Sequence, residues 1–136
     1  MEVAFSTSTG ILIDQDFQAT TRFSVWHVGA DEACYAYSVP VKEPEQGKDA
    51  RISAKVHALQ DCTIVCAQAI SGPAAAKMAA SKIHPIKTGG PVSVEEMITR
   101  LQEVLRNNPA PWLRKAEAEE HLLKSHTQST ALLHHS

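Results

Sequence analysis

Asp61-Cys62-Thr63-Ile64-Val65-Cys66 begins the part of the chain that decides its fold. It is followed by Ser71-Gly72-Pro73-Ala74-Ala75-Ala76-Lys77 and then by Ile83-His84-Pro85-Ile86-Lys87. The β-branched run predicts a buried strand, the Ser-Gly-Pro turn before the alanines predicts a helix over residues 73–81, and the last run predicts a second strand. Two strands of one sheet that are joined by a crossover helix run parallel to each other. This segment therefore predicts an α/β unit.

The turn before the alanine-rich helix is the first candidate binding site. In open α/β sheets ligands bind at the carboxyl ends of the strands, which is where this turn would lie. A helix that begins with Gly-Pro leaves its first N–H groups to face an anion. Ser71, Gly72 and Ala74 are therefore predicted to contact an anionic ligand, although the turn lacks the lysine of a Walker loop.

The first forty residues predict antiparallel strands and a polar loop. Apolar or alternating runs predict three sequential antiparallel strands, at residues 3–6, 23–28 and 34–39. Residues 7–10, Thr-Ser-Thr-Gly, are typical of a loop that approaches a ligand, and residues 12–17 are predicted to extend beyond it.

Two more helices follow from periodic apolar residues. Asp49 is predicted to cap the first, whose buried stripe contains Ile52, Val56 and Leu59. Ser93-Val94-Glu95-Glu96 is a capping box that begins the second. Its inward residues are predicted to be Val94, Met97, Ile98, Leu101, Val104 and Leu105.

Together these elements predict a mixed five-stranded sheet with helices on its faces, a three-layer α/β architecture of the ribonuclease H-like kind. One domain is expected in 136 residues. Its predicted span is residues 1–108, and residues 109–136 are predicted to be a partly helical or disordered extension.

Composition disfavours several classes of partner. The net charge is −2 and the basic residues are spread along the chain, which argues against a nucleic-acid partner. The absence of a long apolar run argues against a membrane partner, and three cysteines without framework spacing fit a reducing compartment. The expected location is the cytoplasm.

The cysteines and His84 are the obvious donors for iron. If residues 62–66 form one strand, the two thiols share a face, but the backbones of Cys62 and Cys66 lie about 13 Å apart, too far to chelate one metal. A buried hydrophobic role is favoured for Cys62, whereas Cys66 is less settled. His84 is more often a packed residue than a ligand in such a position, but Cys66 and His84 remain candidate metal ligands.

Several motifs in one order carry a family resemblance. Val3-Ala4-Phe5-Ser6-Thr7-Ser8, Ile13-Asp14-Gln15-Asp16-Phe17, the segment from Asp61 to Lys77 and Ile83-His84-Pro85-Ile86-Lys87 resemble the dinitrogenase iron-molybdenum cofactor biosynthesis family, of the NifX and NafY kind. The resemblance covers about residues 2–107, and Pro111-Trp112-Leu113 is similar to an extension found in NifX.

This resemblance implies a carrier and not an enzyme. The implied cargo is the iron-molybdenum cofactor or an iron-sulfur precursor cluster, and the implied partners are nitrogenase assembly proteins or apo-dinitrogenase. For such a cargo we predict cofactor-binding residues in the two loops, at Ser8, Asp14, Asp16, Ser71, Gly72 and Ala74. The formation of a homodimer is left open.

One departure from the family pattern concerns the cargo directly. Members of the family typically read Asp-Gln-His-Phe-Gly where this chain has Asp14-Gln15-Asp16-Phe17-Gln18, and the histidine is the suspected cluster contact. Asp16 therefore becomes the candidate metal ligand, although carboxylate is a harder donor than imidazole. A purely turn-forming role for Asp16 is the alternative.

Other functions are weighed against the carrier. A nuclease needs several converging carboxylates, and the candidates are Asp14, Asp16 and Asp61. The first strand, Val3-Ala4-Phe5-Ser6, carries no acidic residue, which argues against a nuclease. A Gly-x-Ser-x-Gly nucleophile elbow is absent. The remaining alternatives are a regulatory or interaction module that keeps the fold and has lost the cluster, and a binder of a small anionic molecule.

Overall fold

The computed structural model describes residues 1–42 and 47–107. The strands are β1 (Glu2–Ser6), β2 (Leu12–Ile13), β3 (Arg22–Val28), β4 (Ala33–Pro40), β5 (Ile64–Ala67), β6 (His84–Lys87) and β7 (Val92–Ser93). The helices are α1 (Lys48–Ala58), α2 (Gly72–Ala80) and α3 (Val94–Asn107), with a 3-10 turn at Phe17–Ala19. The predicted extension at residues 109–136 lies outside the described residues.

The main sheet has five strands in the order β4-β3-β1-β5-β6. β4, β3 and β1 are antiparallel neighbours, while β1, β5 and β6 are parallel. The predicted mixed five-stranded sheet is confirmed. No helix within the described ranges is both long and apolar enough to cross a bilayer.

A second, two-stranded sheet was not predicted. β2 pairs with β7 just before α3, through Leu12 opposite Ser93 and Ile13 opposite Val92. The expectation that residues 12–17 extend as one segment is wrong, because the chain leaves β2 after Ile13 and forms the 3-10 turn at Phe17.

Helices cover both faces of the main sheet and make three layers. Under α1 and α2 the core contains Ala4, Phe17, Phe23, Val25, Ile52, Val56, Leu59, Val65, Ala74 and Met78. Under α3 it contains Val3, Phe5, Ile13, Val28, Ile64, Cys66, Val94, Met97, Ile98 and Leu101. The alternation of Val3, Ala4 and Phe5 between the two cores is the period of two that a strand imposes.

The helix starts agree with the sequence in one case and not in another. Ser93 Oγ accepts a hydrogen bond from the Glu96 N–H at 2.9 Å, which confirms the cap of α3. Val104 is 39% exposed, however, because it lies on the flank of the helix and not on its buried stripe. Asp49 does not cap α1; Gly47 precedes the helix without a side-chain bond, and Asp49 lies in the first turn.

Cys62 and Cys66 belong to different cores, so the expectation that they share a face is wrong. β5 begins only at Ile64, and Cys62 still belongs to the turn after α1, where its N–H donates to the Leu59 carbonyl. Cys62 therefore packs on the α1 and α2 side, while Cys66 packs on the α3 side. The prediction that Cys62 is buried is confirmed.

Candidate functional site

The candidate site lies at the carboxyl edge of the three parallel strands. Their register sets Phe5 beside Cys66 and Ala67 beside Lys87, so β1, β5 and β6 end together. The segments that follow these strands contact one another through the backbone. Thr88 N–H donates to the Ala67 carbonyl and Gly89 N–H to the Gln68 carbonyl.

Ser8 and Asp14 are joined directly at this edge. The Ser8 N–H donates to Asp14 Oδ1 at 2.9 Å, and Ser8 Oγ donates to Oδ2 at 2.6 Å. These hydrogen bonds favour the ionised carboxylate and lower the pKa of Asp14 below its usual value. Because both carboxylate oxygens bond to Ser8, Asp14 holds the loop in shape.

Thr7 fixes the start of the same loop and was not predicted. Its side chain is nearly buried, and Oγ1 accepts hydrogen bonds from Gly10 N–H at 2.9 Å and Thr9 N–H at 3.3 Å. Gly10 has a φ of 83°, a conformation that side chains rarely adopt. The Thr-Ser-Thr-Gly motif thus forms a turn that is held by its own hydrogen bonds.

Asp16 lies where this first loop meets the loop after β5. The Gln68 N–H donates to the Gln15 carbonyl and the Phe17 N–H to the Ala69 carbonyl, both at 2.9 Å, with Asp16 opposite Ala69 as in a parallel bridge. Asp16 Oδ1 accepts from the Gln18 N–H at 3.1 Å, so the turn-forming role exists. Asp16 is also exposed, and Ala69 opposite it precedes Ser71 by two residues.

The start of α2 differs from the expectation. Ser71 Oγ accepts the Ala74 N–H at 3.3 Å, Pro73 has no N–H, and Ala74 is fully buried. The N-cap serine therefore uses the Ala74 N–H, which the Gly-Pro opening was expected to leave for an anion, and contact between Ala74 and a ligand stays a prediction. Gly72 is exposed, and a Cβ added there would meet no heavy atom within 4 Å.

The other two candidate metal ligands are not available beside Asp16, one because it is buried and the other because it lies at the opposite edge of the sheet. Cys66 is fully buried under α3, and burial raises the pKa of its thiol, so the thiolate that iron requires is disfavoured. His84 begins β6 opposite Ile64, at the amino ends of the parallel strands. Partial burial lowers the pKa of His84 and favours neutral imidazole, yet about three residues of strand separate it from the site.

The structure does not bring Asp16, Cys66 and His84 together. Within the described ranges, no three His, Cys, Asp or Glu side chains converge as metal ligands. Asp61 precedes β5 and so lies at the opposite edge from Asp14 and Asp16. The three carboxylates considered for a nuclease therefore do not form one site.

A basic cavity of about 200 Å³ lies behind the Asp16 turn. Its lining includes Gln18 and the α1 side chains Lys48, Arg51 and Lys55. Lys55 is 1% exposed, and its Nζ donates to the Gln18 carbonyl. The signal for Lys55 was present in the sequence, because it falls with Ile52 on the apolar stripe of α1 at helical spacing.

Comparison with known proteins shows the family of this chain. The family model described as dinitrogenase iron-molybdenum cofactor matches residues 1–104. This chain belongs to that family. A NifX protein of Sinorhizobium fredii is 33% identical over 127 residues, covering 88% of this chain and 79% of the relative.

Two further relatives extend the comparison. A NifX protein of Herbaspirillum seropedicae is 31% identical, covering 85% of this chain and 81% of the relative. A NifY protein of Azotobacter vinelandii is 29% identical, covering 88% of this chain and 49% of the relative. The resemblance to the iron-molybdenum cofactor family is confirmed, and the chain has a role in the biosynthesis or handling of that cofactor.

One solved structure shares the fold. The structure titled "Crystal structure of PH0822" superposes with a TM-score of 0.61 at 15% identity, covering 76% of this chain and 91% of that chain. At this identity the likeness concerns the fold alone.

Proposed function

We propose that this protein binds and carries the iron-molybdenum cofactor, or an iron-sulfur precursor of it, during nitrogenase cofactor assembly. The observation that carries the proposal is the junction of two loops at the carboxyl edge, where exposed Asp16 lies opposite Ala69 and close to Ser71. Ligands bind at this edge in open α/β sheets. The cytoplasm is the corresponding location, and the partners are nitrogenase assembly proteins or apo-dinitrogenase.

The chemistry of the site suits reversible holding of an anionic cluster. Asp16 is the candidate side-chain ligand at the junction, and a single carboxylate is a hard donor that holds iron less firmly than thiolates or imidazoles do. The cationic side chains of Lys48, Arg51 and Lys55 line the cavity behind it and favour an anionic cargo. The role is that of a carrier without catalysis of its own, and the strand order supports a ribonuclease H-like classification.

The test compares position 16 in two forms. Imidazole is a better donor to iron, so Asp16→His is expected to bind isolated iron-molybdenum cofactor more tightly than the unchanged protein does. Anaerobic titration followed by iron analysis measures both affinities. Equal binding by the two proteins would place residue 16 outside the site.

Gly72 tests the other half of the site. Gly72 is exposed with open space around it, so Gly72→Ala and Gly72→Asp are expected to fold with nearly unchanged melting temperature. Affinity for the cofactor should fall from glycine through alanine to aspartate, because the carboxylate repels an anion at the mouth of the site. Unchanged affinity in the folded Gly72→Asp protein would move the site elsewhere.

The second candidate function is an interaction module that no longer binds a cluster. Cys62 and Cys66 are buried in separate cores, and Asp16 stands where the family pattern has histidine. Absence of cofactor binding by both the unchanged protein and Asp16→His, with both proteins folded, would favour this second function.

A further inference from the structure

The face of the main sheet that α3 covers is only partly covered. Among the helices of residues 1–42 and 47–107, α1 and α2 pack on the opposite face and α3 is the one that packs on this face. Five strands at about 4.8 Å spacing are roughly twice as wide as one helix of about 10 Å diameter. Part of this face on the side of β3 and of the edge strand β4 therefore lies beyond α3.

This uncovered region is a groove of about 480 Å³ along α3. Apolar atoms come from Ile11, Trp26, Ala33 and Ile98, and polar rims come from Thr99 and Gln102. Ile11 is 68% exposed, and Tyr35, 53% exposed, makes an edge contact with Trp26 at 6.1 Å between ring centroids. Such an apolar concavity with a polar rim is typical of a binding surface.

We propose that the groove is the docking site for the chain's own C-terminal segment, through Trp112 and Leu113. The described chain ends at Asn107, and Arg106 Nε lies 3.3 Å from Asp31 Oδ1 while Gln102 Nε2 donates to the Gly29 carbonyl. The last turn of α3 therefore lies at the β3–β4 hairpin, which is one end of the groove.

The length of chain beyond α3 fits this geometry. Ile98 lies about 14 Å back along the helix from Asn107, at 1.5 Å per residue. The five residues from Asn107 to Trp112 reach up to about 17 Å when extended. Pro109 and Pro111 lack the backbone N–H that a regular helix needs, which suits a segment that reverses direction after α3.

The chemistry of the segment also fits the groove. Trp112 and Leu113 supply large apolar area, and the Trp112 indole N–H can donate to the polar rim. The next two residues are Arg114 and Lys115, and Glu95 lines the far end of the groove, about 10 Å along α3 from Gln102. Opposite charges therefore meet when the segment runs back along α3.

Disulfide trapping in the full chain tests the contact. Cys34, the exposed cysteine, is first replaced by serine, and Thr99→Cys is combined with Leu113→Cys. Oxidation with diamide should link the two positions within one chain, as shown by mass spectrometry of peptides from the monomer. The matched control pairs Leu113→Cys with Val104→Cys, which is nearer in sequence but absent from the lining of the groove, and should cross-link at least fivefold more slowly.

Each other outcome overturns the proposal. Links between two chains would assign the groove to a second copy, and equal rates at positions 99 and 104 would show a segment without a fixed place. Failure to link while both thiols react with a labelling reagent would show that the segment lies elsewhere.

A second measurement needs no cross-link. With 5-fluorotryptophan in the full chain, the signal of Trp112, assigned by Trp112→Phe, should move toward its solvent-exposed position in Thr99→Arg and not in Val104→Arg. A Trp112 signal at the exposed position in the unchanged protein would overturn the proposal even where the cysteine variants fail to fold.

Discussion

At the scale of single residues, the candidate site depends on side chains that hold loops in shape more than on side chains that point at a ligand. The polar side-chain atoms of Asp14 and Thr7 accept hydrogen bonds within the first loop. Lys55 donates to the Gln18 carbonyl, in the turn that contains Asp16. Asp16 and Gly72 are exposed by contrast. The residues that shape the site and those that would touch a cargo are therefore separate, and substitutions can address them one at a time.

Ser8→Ala should raise the pKa of Asp14 toward its ordinary value of 3.8, because it removes the side-chain hydrogen bond that lowers it most. Folding lowers this pKa, so ionised Asp14 stabilises the fold above pH 3.8, and the contribution is lost as the pH falls through the lowered value. Carboxyl carbon NMR titration measures the shift. Thr9→Ala is the control, since Thr9 Oγ1 bonds to the N–H groups of Ile11 and Leu12 instead.

Lys55→Met should lower the free energy of unfolding by about 1–3 kcal/mol, because methionine keeps the apolar stem but leaves the Gln18 carbonyl without its charged donor. Lys48→Met, at an exposed position of the same helix, should stay within about 0.5 kcal/mol of the unchanged protein. Urea unfolding of the three proteins measures both differences. Equal stability of Lys55→Met and the unchanged protein would contradict a structural role for the ammonium group.

At the scale of elements, the small sheet of β2 and β7 connects the site to α3. Val92 and Ser93 pair with Ile13 and Leu12, and the Val94 N–H donates to the Ile11 carbonyl at 2.8 Å. The loop that contains Ser8 is thus held between β1 and the first residue of α3. Disturbing the start of α3 should reach the site loop through these few bonds.

Ser93→Ala should cost about 1 kcal/mol of stability, because the Glu96 N–H loses the oxygen that caps it. Ser53→Ala, at an exposed position within α1, is the control and should be neutral or slightly stabilising, since alanine favours a helix. Chemical denaturation measures both changes. A loss of similar size in the two variants would show that capping is not what Ser93 contributes.

The sequence predicted the elements whose signals are local and missed those made by tertiary contact. The cap of α3, its buried stripe apart from Val104, and the alternation of β3 are properties of neighbouring residues, and they are confirmed. Leu12 pairs with Ser93, about eighty positions away in the chain. A local pattern of apolar residues cannot predict such a pairing. The prediction for the face of the sheet on which Cys62 packs was wrong for a related reason. That face depends on where the turn after α1 ends and β5 begins.

The candidate site was predictable in position but not in detail. The Ser-Gly-Pro turn and the Thr-Ser-Thr-Gly loop do meet at one edge of the sheet, because parallel strands bring their carboxyl ends together. Which polar atoms remain available to a ligand depends on the hydrogen bonds of the folded chain. Ser71 takes the Ala74 N–H, and Ser8 takes both oxygens of Asp14.

At the scale of the whole molecule, the three cysteines report on different depths of the structure. Native protein should react quickly with a thiol reagent at Cys34 alone, because Cys62 and Cys66 are buried and burial raises the pKa of Cys62 to about 12. Mass spectrometry after timed labelling should show one modified cysteine, and all three only in denaturant. Rapid native labelling of Cys66 would contradict the packing of α3 over the sheet.

The strand order has a consequence for how the chain forms during synthesis. Among the described strands β1 comes first in the chain, and its antiparallel partner β3 ends at Val28, whereas its parallel partner β5 begins only at Ile64. The antiparallel strands β1, β3 and β4 are close in sequence and can pair early. The parallel pairing of β1 with β5 forms later, because it joins residues about sixty positions apart. The nascent chain therefore exposes one edge of its central strand until residue 67 has emerged, and the loop with Ser71 reaches Asp16 later still. The junction that places Asp16 opposite Ala69 can therefore form only after residue 69 has been translated and released.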